Sequence, residues 1–243
     1  MENLVLSTRE GNATGYLFRA KGVETAPLVI MFMDAFGPRN ALFELSDQIS
    51  SFGVSVFLPD LFFRFGEYEA FDVATTFQVP AERERIMGMM GTLSIASVMS
   101  DTRAWLEVLA DDPQLDMRKI GAVGYCMGGK FAIATAATFP MQLRAAASIH
   151  GGGLVNPQPD SIHRHLSGIQ ADLYFGIATK DRSFTPENQA ELEAAIKLSG
   201  VKAELEVYEG FLHGFAVRDN TVYDESASLR HLRKLESLFS SLS

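Results

Sequence analysis

A single cysteine stands in 243 residues, so no disulfide can form within the chain, and the cross-linked scaffold of small secreted domains is excluded. Positive charge is the next shortage. The 21 Lys and Arg against 30 Asp and Glu give a net charge of −9, and the basic residues are scattered, which argues against a non-specific binder of polyanions such as nucleic acid. Zinc-ligand spacing and aromatic RNA-binding motifs are missing as well. No apolar run reaches membrane-spanning length, and Met1-Glu2-Asn3-Leu4 opens neither a basic n-region nor an apolar h-region, so a cytoplasmic location is expected. Internal repeats and low-complexity linkers are absent, and nothing requires a second domain. What remains is a chain that is 47% hydrophobic, able to bury a large core as a single domain over residues 1–243.

The most informative stretch is Lys119 to Phe139. It begins as an apolar strand, Ile120 to Tyr125, and continues from Gly128 as an Ala-rich helix. Between them lies Cys126, flanked two residues away on each side by Gly124 and Gly128. A strand-to-helix turn of this form thrusts one nucleophilic side chain out at the carboxyl edge of a sheet, over a helix N-terminus that favours negative charge.

Around it the chain alternates strands and helices. Leu4 to Thr8 and Gly15 to Arg19 read as strands about a Glu10-Gly11-Asn12 turn. The unbroken apolar run Leu28 to Met33 fits a strand covered on both faces, and Leu42, Leu45 and Ile49 follow at helical spacing. Val54 to Leu58 forms the next strand. Within 61–90 the periodicity is lost from Leu61 to Pro80, where Phe62, Phe63, Phe65, Tyr68, Phe71 and Phe77 accumulate, before an expected helix at Glu82 to Met90. That segment reads either as a lid or substrate wall or as a loop that packs its own aromatics over the core. Later strands are expected at Ala145 to His150, Leu173 to Ala178 and Ala203 to Tyr208, with a loop at Glu209 to Phe215 and a last helix from Ser226 to Leu242. The expected architecture is α/β, a mainly parallel sheet with helices on both faces, its ligand crevice beyond the strands' carboxyl ends.

That topology brings Cys126, Asp181 and His213 to one edge of the sheet, each after a strand, in the order nucleophile, acid, histidine. In this reading Cys126 attacks a carbonyl, His213 manages protons and Asp181 fixes the imidazole tautomer. The backbone N–H groups of Ala35 and Met127 are expected to form the oxyanion hole. His150, beside Gly151-Gly152-Gly153, is expected to wall the pocket. His163, His165 and His231 read as solvent-facing. No metal site and no cofactor are expected.

The residues Gly124-Tyr125-Cys126-Met127-Gly128-Gly129, the Asp181-x-x-Phe184-x-Pro186 loop, His213-Gly214-Phe215 and Leu58-Pro59-Asp60 together resemble the dienelactone hydrolase family, a branch of the α/β-hydrolase fold. The likeness covers nearly the whole chain. It implies that a carboxylate after the third strand modulates the thiol; Asp34 occupies that position, where the family enzyme has Glu, and the shorter side chain alters or removes the switch. The resemblance further implies two substrate-binding arginines. Glu82-Arg83-Glu84-Arg85 maps the first onto Arg85, and Arg218, displaced by one residue, is the counterpart of the second. The expected function is hydrolysis of a small lactone or activated ester, by a monomer or homodimer. The competing reading is a non-catalytic small-molecule binder on the same fold.

Overall fold

The computed structural model describes residues 1–8 and 11–242 of the chain. Among the described residues, the strands β1 (Glu2–Thr8), β2 (Gly11–Phe18), β3 (Ala26–Phe32), β4 (Ser55–Pro59), β5 (Leu115–Tyr125), β6 (Leu143–Ile149), β7 (Asp172–Lys180) and β8 (Ala203–Leu212) form one sheet in the order β1-β2-β4-β3-β5-β6-β7-β8. β1 (Glu2–Thr8) and β2 (Gly11–Phe18) make the antiparallel hairpin expected from the sequence, with Thr8 opposite Gly11, although Glu10 of the expected turn lies outside the described residues. β2 also runs antiparallel to β4 (Ser55–Pro59), and every pairing from β4 onward is parallel. The sheet is thus mixed at one edge and parallel through its centre.

β3 (Ala26–Phe32) shows why such a sheet must be covered twice. All seven of its residues are buried, and because successive side chains point to opposite faces, continuous burial requires helices on both sides. α1 (Asn40–Ser50) and α6 (Glu225–Phe239) pack together, as do α3 (Ile95–Leu109) and α4 (Gly128–Thr138), which lies over β3, β5 and β6. Ser94 caps α3 reciprocally with Ser97, which fixes where α3 starts after α2 (Pro80–Gly91).

Several element boundaries differ from the sequence reading. β2 begins at Gly11, inside the expected turn and four residues before Gly15. β5 runs from Leu115 to Tyr125, five residues earlier than expected, because Leu115 pairs with Ala26 across a bulge that the polar run Arg118-Lys119 conceals. β8 extends from Ala203 through Leu212, absorbing most of the expected loop. A register shift opposite Ala178 and Lys180, with Gly210 at φ 82°, lets the longer β8 stay paired with β7 (Asp172–Lys180). His213 therefore leaves the sheet directly from a strand end.

Two histidines depart from their expected surroundings. His231 is wholly buried on the inner face of α6, its Nε2 3.2 Å from the Tyr125 hydroxyl. Its spacing from Ala227, Ser228 and Leu235 on that face was the available signal. His163 is buried too, with Nδ1 2.8 Å from Ser161 Oγ and Nε2 2.9 Å from Glu191 of α5 (Pro186–Ser199). Glu191 is supplied by the tertiary fold, so local sequence could not indicate it. His165 is exposed, as expected.

Candidate active site

Cys126 sits between β5 and α4 at φ 53°, a left-handed conformation that costs a non-glycine residue about 1–3 kcal/mol. Backbone bonds hold it there. Its N–H donates to Ile149 O at 3.2 Å, and its carbonyl accepts from Gly129 N at 3.1 Å and Gly152 N at 3.0 Å. The flanking glycines are steric requirements. A Cβ on Gly124 would collide with the Gly128 carbonyl, and one on Gly128 with the carbonyls of Phe32 and Met33.

The acid loop follows β7. Phe184 is buried and anchors it, Thr185 caps α5 reciprocally with Asn188, and Pro186 occupies the first turn of α5. Asp181 is buried behind this anchor and accepts from the Ser183 N–H at 2.7 Å and the Ser183 hydroxyl at 2.6 Å, both on Oδ1. Its other oxygen lies 2.6 Å from His213 Nδ1. Ser183 Oγ is also 3.1 Å from that nitrogen, so this serine, not singled out in the sequence, braces both groups. The signal for it was only the turn-forming spacing two residues after an Asp.

His213 leaves β8 at Gly214, whose φ of 99° and close approach to the Asn220 amide demand glycine. Phe215 is buried and stacks on Tyr208 with ring centroids 4.5 Å apart. Burial opposes charge on His213, but the Cys126 charge, the Asp181 hydrogen bond and a hydrogen bond to Cys126 outweigh it and hold the imidazole well above its ordinary value of 6.5. For Asp181, burial pushes upward, yet the bonds to His213 and Ser183 leave the carboxyl below its ordinary value. The structure thus brings Cys126, His213 and Asp181 together, with His213 between the other two.

Among the described residues no internal acceptor takes the N–H of Ala35 or of Met127. His150 is buried at φ 39°, its ring 5.0 Å from that of His213 and 5.3 Å from that of Phe215. Burial, with the His213 charge adding to it, pushes its pKa well down. Lys130, near the start of α4, was not singled out either. Burial lowers its pKa against the pull of Asp160 and Cys126, and its Nζ lies 4.9 Å from the Phe131 ring centroid.

The remaining sequence candidates have partners of their own. The Asp34 carboxylate is buried, accepts from the Phe36 N–H at 3.0 Å and is gripped by Arg39 at 2.7 and 2.9 Å. Arg85 donates to Glu82 Oε2 at 2.6 Å and to the Glu69 carbonyl at 3.0 Å, and its guanidinium carbon lies 3.8 Å from the Phe71 ring centroid. Arg218 has a side chain 60% exposed, 3.8 Å from Glu44. Between 61 and 90, Asp60 pins the chain by accepting from the Phe62 N–H at 2.8 Å and the Tyr68 hydroxyl at 3.0 Å, and Phe77 packs edge-on against Phe36 at 5.6 Å. Among the described residues no helix is long and apolar enough to cross a membrane, and no group of three or more His, Cys, Asp or Glu is arranged to hold a metal.

Comparison with known proteins matches residues 13–243 to the dienelactone hydrolase family. Carboxymethylenebutenolidase 1 of Cupriavidus pinatubonensis is 24% identical over 239 residues, 98% of this chain and 96% of the relative. Among solved structures, a dienelactone hydrolase-like promiscuous phosphotriesterase from metagenomic libraries superposes with a TM-score of 0.79 at 21% identity, covering 99% of this chain and 97% of that one. The dienelactone hydrolase of Anabaena variabilis gives 0.70 at 17% identity, covering 99% and 97%. At these identities the solved structures speak for the fold, which is that of the α/β hydrolases.

Proposed function

The chain belongs to the dienelactone hydrolase family, a family of hydrolases, and from that premise we propose that it cleaves a small lactone or activated ester through Cys126, His213 and Asp181. The observation that carries this reading is the position of His213, bonded to Asp181 on one side and facing Cys126 on the other. In this reading Cys126 reacts as the thiolate, the nucleophilic form of the group, with its proton held on His213.

The steps follow from that starting state. The Cys126 thiolate adds to the substrate carbonyl, and the oxyanion so formed is met by the N–H groups of Ala35 and Met127. Collapse breaks the ester C–O bond, and His213 gives its proton to the departing alkoxide, leaving a thioester on Cys126. Neutral His213 then takes a proton from water as the water attacks the thioester. The carboxylic acid leaves, and the thiolate–imidazolium pair is restored. Asp181, braced by Ser183, keeps Nδ1–H pointing toward itself and Nε2 toward the reaction throughout.

In this reading the chain works as one domain, with residues 61–90 as the substrate wall, supported by the Phe36–Phe77 contact that joins this segment to the loop carrying Ala35. Arg85 serves an anionic substrate by exchanging Glu82 for the substrate carboxylate, and Arg218 by leaving Glu44. Any influence of Asp34 on the thiol is set by its ion pair with Arg39. Rapid-mixing kinetics with a chromogenic lactone provide the test. A burst of product equal to the enzyme, followed by slower steady release, is expected. Ligand-induced stabilisation with no product across a panel of lactones and activated esters would favour the non-catalytic binder.

A further inference from the structure

Arg39 is placed by no sequence motif, yet it uses every donor it has. Its Nε donates to Asp219 Oδ2 at 2.6 Å and its Nη2 to Asp219 Oδ1 at 2.9 Å and Asp34 Oδ2 at 2.9 Å. Nη1 completes the set with Asp34 Oδ1 at 2.7 Å and the Gly37 carbonyl at 3.2 Å. A guanidinium has five N–H donors, and these five bonds leave none for a substrate. The side chain is only 14% exposed, and its guanidinium carbon lies 5.3 Å from the Phe36 ring centroid.

The two carboxylates it joins belong to different parts of the site. In the parallel pairing of β3 with β5, Phe32 is opposite Gly124. Two residues further along each chain, just beyond the ends of these neighbouring strands, stand Asp34 and Cys126. The chain after β3 also presses on the turn itself, since the Phe32 and Met33 carbonyls occupy the space a Gly128 side chain would need. Asp219 lies six residues after His213 in a tight loop. There Val217 N bonds Gly214 O, Asn220 N bonds Val217 O, and the Asn220 amide covers Gly214.

We propose that Arg39 is a positioning residue that holds Asp34 in a fixed ion pair, so that this carboxylate neither repels the Cys126 thiolate nor takes its proton, and that it locks the loop carrying Ala35 to the loop carrying His213. The inference rests on the reading of Cys126 as nucleophile. It differs from a proton switch in one respect: Asp34 is ion-paired and immobilised before substrate arrives. The other titratable groups about Cys126 are His213 after β8, Lys130 on α4 and buried His150 after β6. None of them neutralises Asp34, whose cationic partner is Arg39.

The test reads the thiol directly, without needing turnover. Because the chain has one cysteine, iodoacetamide alkylation followed by mass reports Cys126 alone, and its rate against pH gives the apparent thiol pKa. Arg39→Gln frees the Asp34 charge, so the apparent pKa should rise by about one pH unit and alkylation at neutral pH should slow about tenfold. Adding Asp34→Asn in the same chain should return the profile to within about threefold of wild type. An unshifted profile in Arg39→Gln, or a shift that Asp34→Asn does not reverse, would overturn the electrostatic role. Arg39→Lys keeps the charge but cannot grip two carboxylates at once. Its alkylation profile should match wild type while kcat for hydrolysis falls about tenfold with KM unchanged. An unchanged kcat would overturn the locking role, and this variant carries the test alone if Arg39→Gln fails to fold. Hydrolysis persisting in Cys126→Ala would instead remove the nucleophile reading on which the inference rests.

Discussion

The turn at Cys126 and the segment from 61 to 90 lie at the same carboxyl edge of the sheet but are held by different physics. At the turn the backbone leaves no choice: Gly124 and Gly128 have no room for a side chain, and Cys126 is fixed in a left-handed conformation by three backbone bonds. The 61–90 segment is held instead by rings and guanidinium groups. Phe62 meets Tyr68 edge-on at 5.9 Å, Tyr68 lies 6.4 Å from Phe71, and Arg64 and Arg85 cover Phe63 and Phe71. The first arrangement admits one geometry; the second tolerates exchange of its parts. On the proposed reading, a fixed reaction centre stands beside a wall whose ion pairs can exchange partners.

The sharpest break in that comparison is at the reacting groups. Cys126→Ala or His213→Ala should lower kcat/KM by about a thousandfold or more, since groups acting as one unit are lost together. Circular dichroism and thermal midpoints should stay near wild type. Residual rates within about tenfold of wild type would remove the assignment. Next comes the turn itself. Gly128→Ala forces a methyl into the Phe32 and Met33 carbonyls and should cost about 3 kcal/mol or more of stability, read from urea unfolding.

Legibility in the sequence followed the same division. Where sterics dictate residue type, as at Gly124, Gly128, Gly214 and Pro186, the pattern was readable and placed the strand ends that bring Cys126, Asp181 and His213 together. Where one side chain chooses another across the fold, it was not. Arg39 reaches a carboxylate 180 positions away, and Arg85 spends its donors on Glu82 and Glu69. His231 was misplaced at the surface although its helical register pointed inward, because a polar residue type outweighed its spacing. β5 began early because a bulge breaks the alternation that signals a strand.

Smaller effects sharpen the comparison further. Ser183→Ala removes one of the bonds that hold the Asp181 carboxyl below its ordinary value. That pKa should therefore rise, so activity should begin to fail at a higher pH on the acid side, and kcat should drop about tenfold. His231 tests the floor beneath the turn. Burial pushes it down to about 4 from 6.5, so the unfolded chain takes up a proton below pH 6.5 that the folded chain refuses until about 4. Its neutral burial stabilises fully above 6.5, and that contribution is lost as pH falls through the window, by up to roughly 3 kcal/mol. His231→Phe should flatten this part of the stability profile, His150 retaining a slope of the same sign and His213 opposing it. The smallest effect belongs to the wall. Arg85→Lys should raise KM for acidic lactones about threefold more than for neutral esters, because an ammonium cannot grip a carboxylate through two parallel bonds. Equal changes for both classes would make Arg85 purely structural.

The central claim is a covalent acyl group on one sulfur. Wild-type protein quenched in acid within the burst phase, after mixing with a panel of small lactones and activated esters, should gain the mass of the acyl portion. Peptide mapping should place that mass on Cys126, and a Cys126→Ala chain treated in the same way should gain none. Turnover by the wild type with no such adduct, together with hydrolysis retained in Cys126→Ala, would contradict the account.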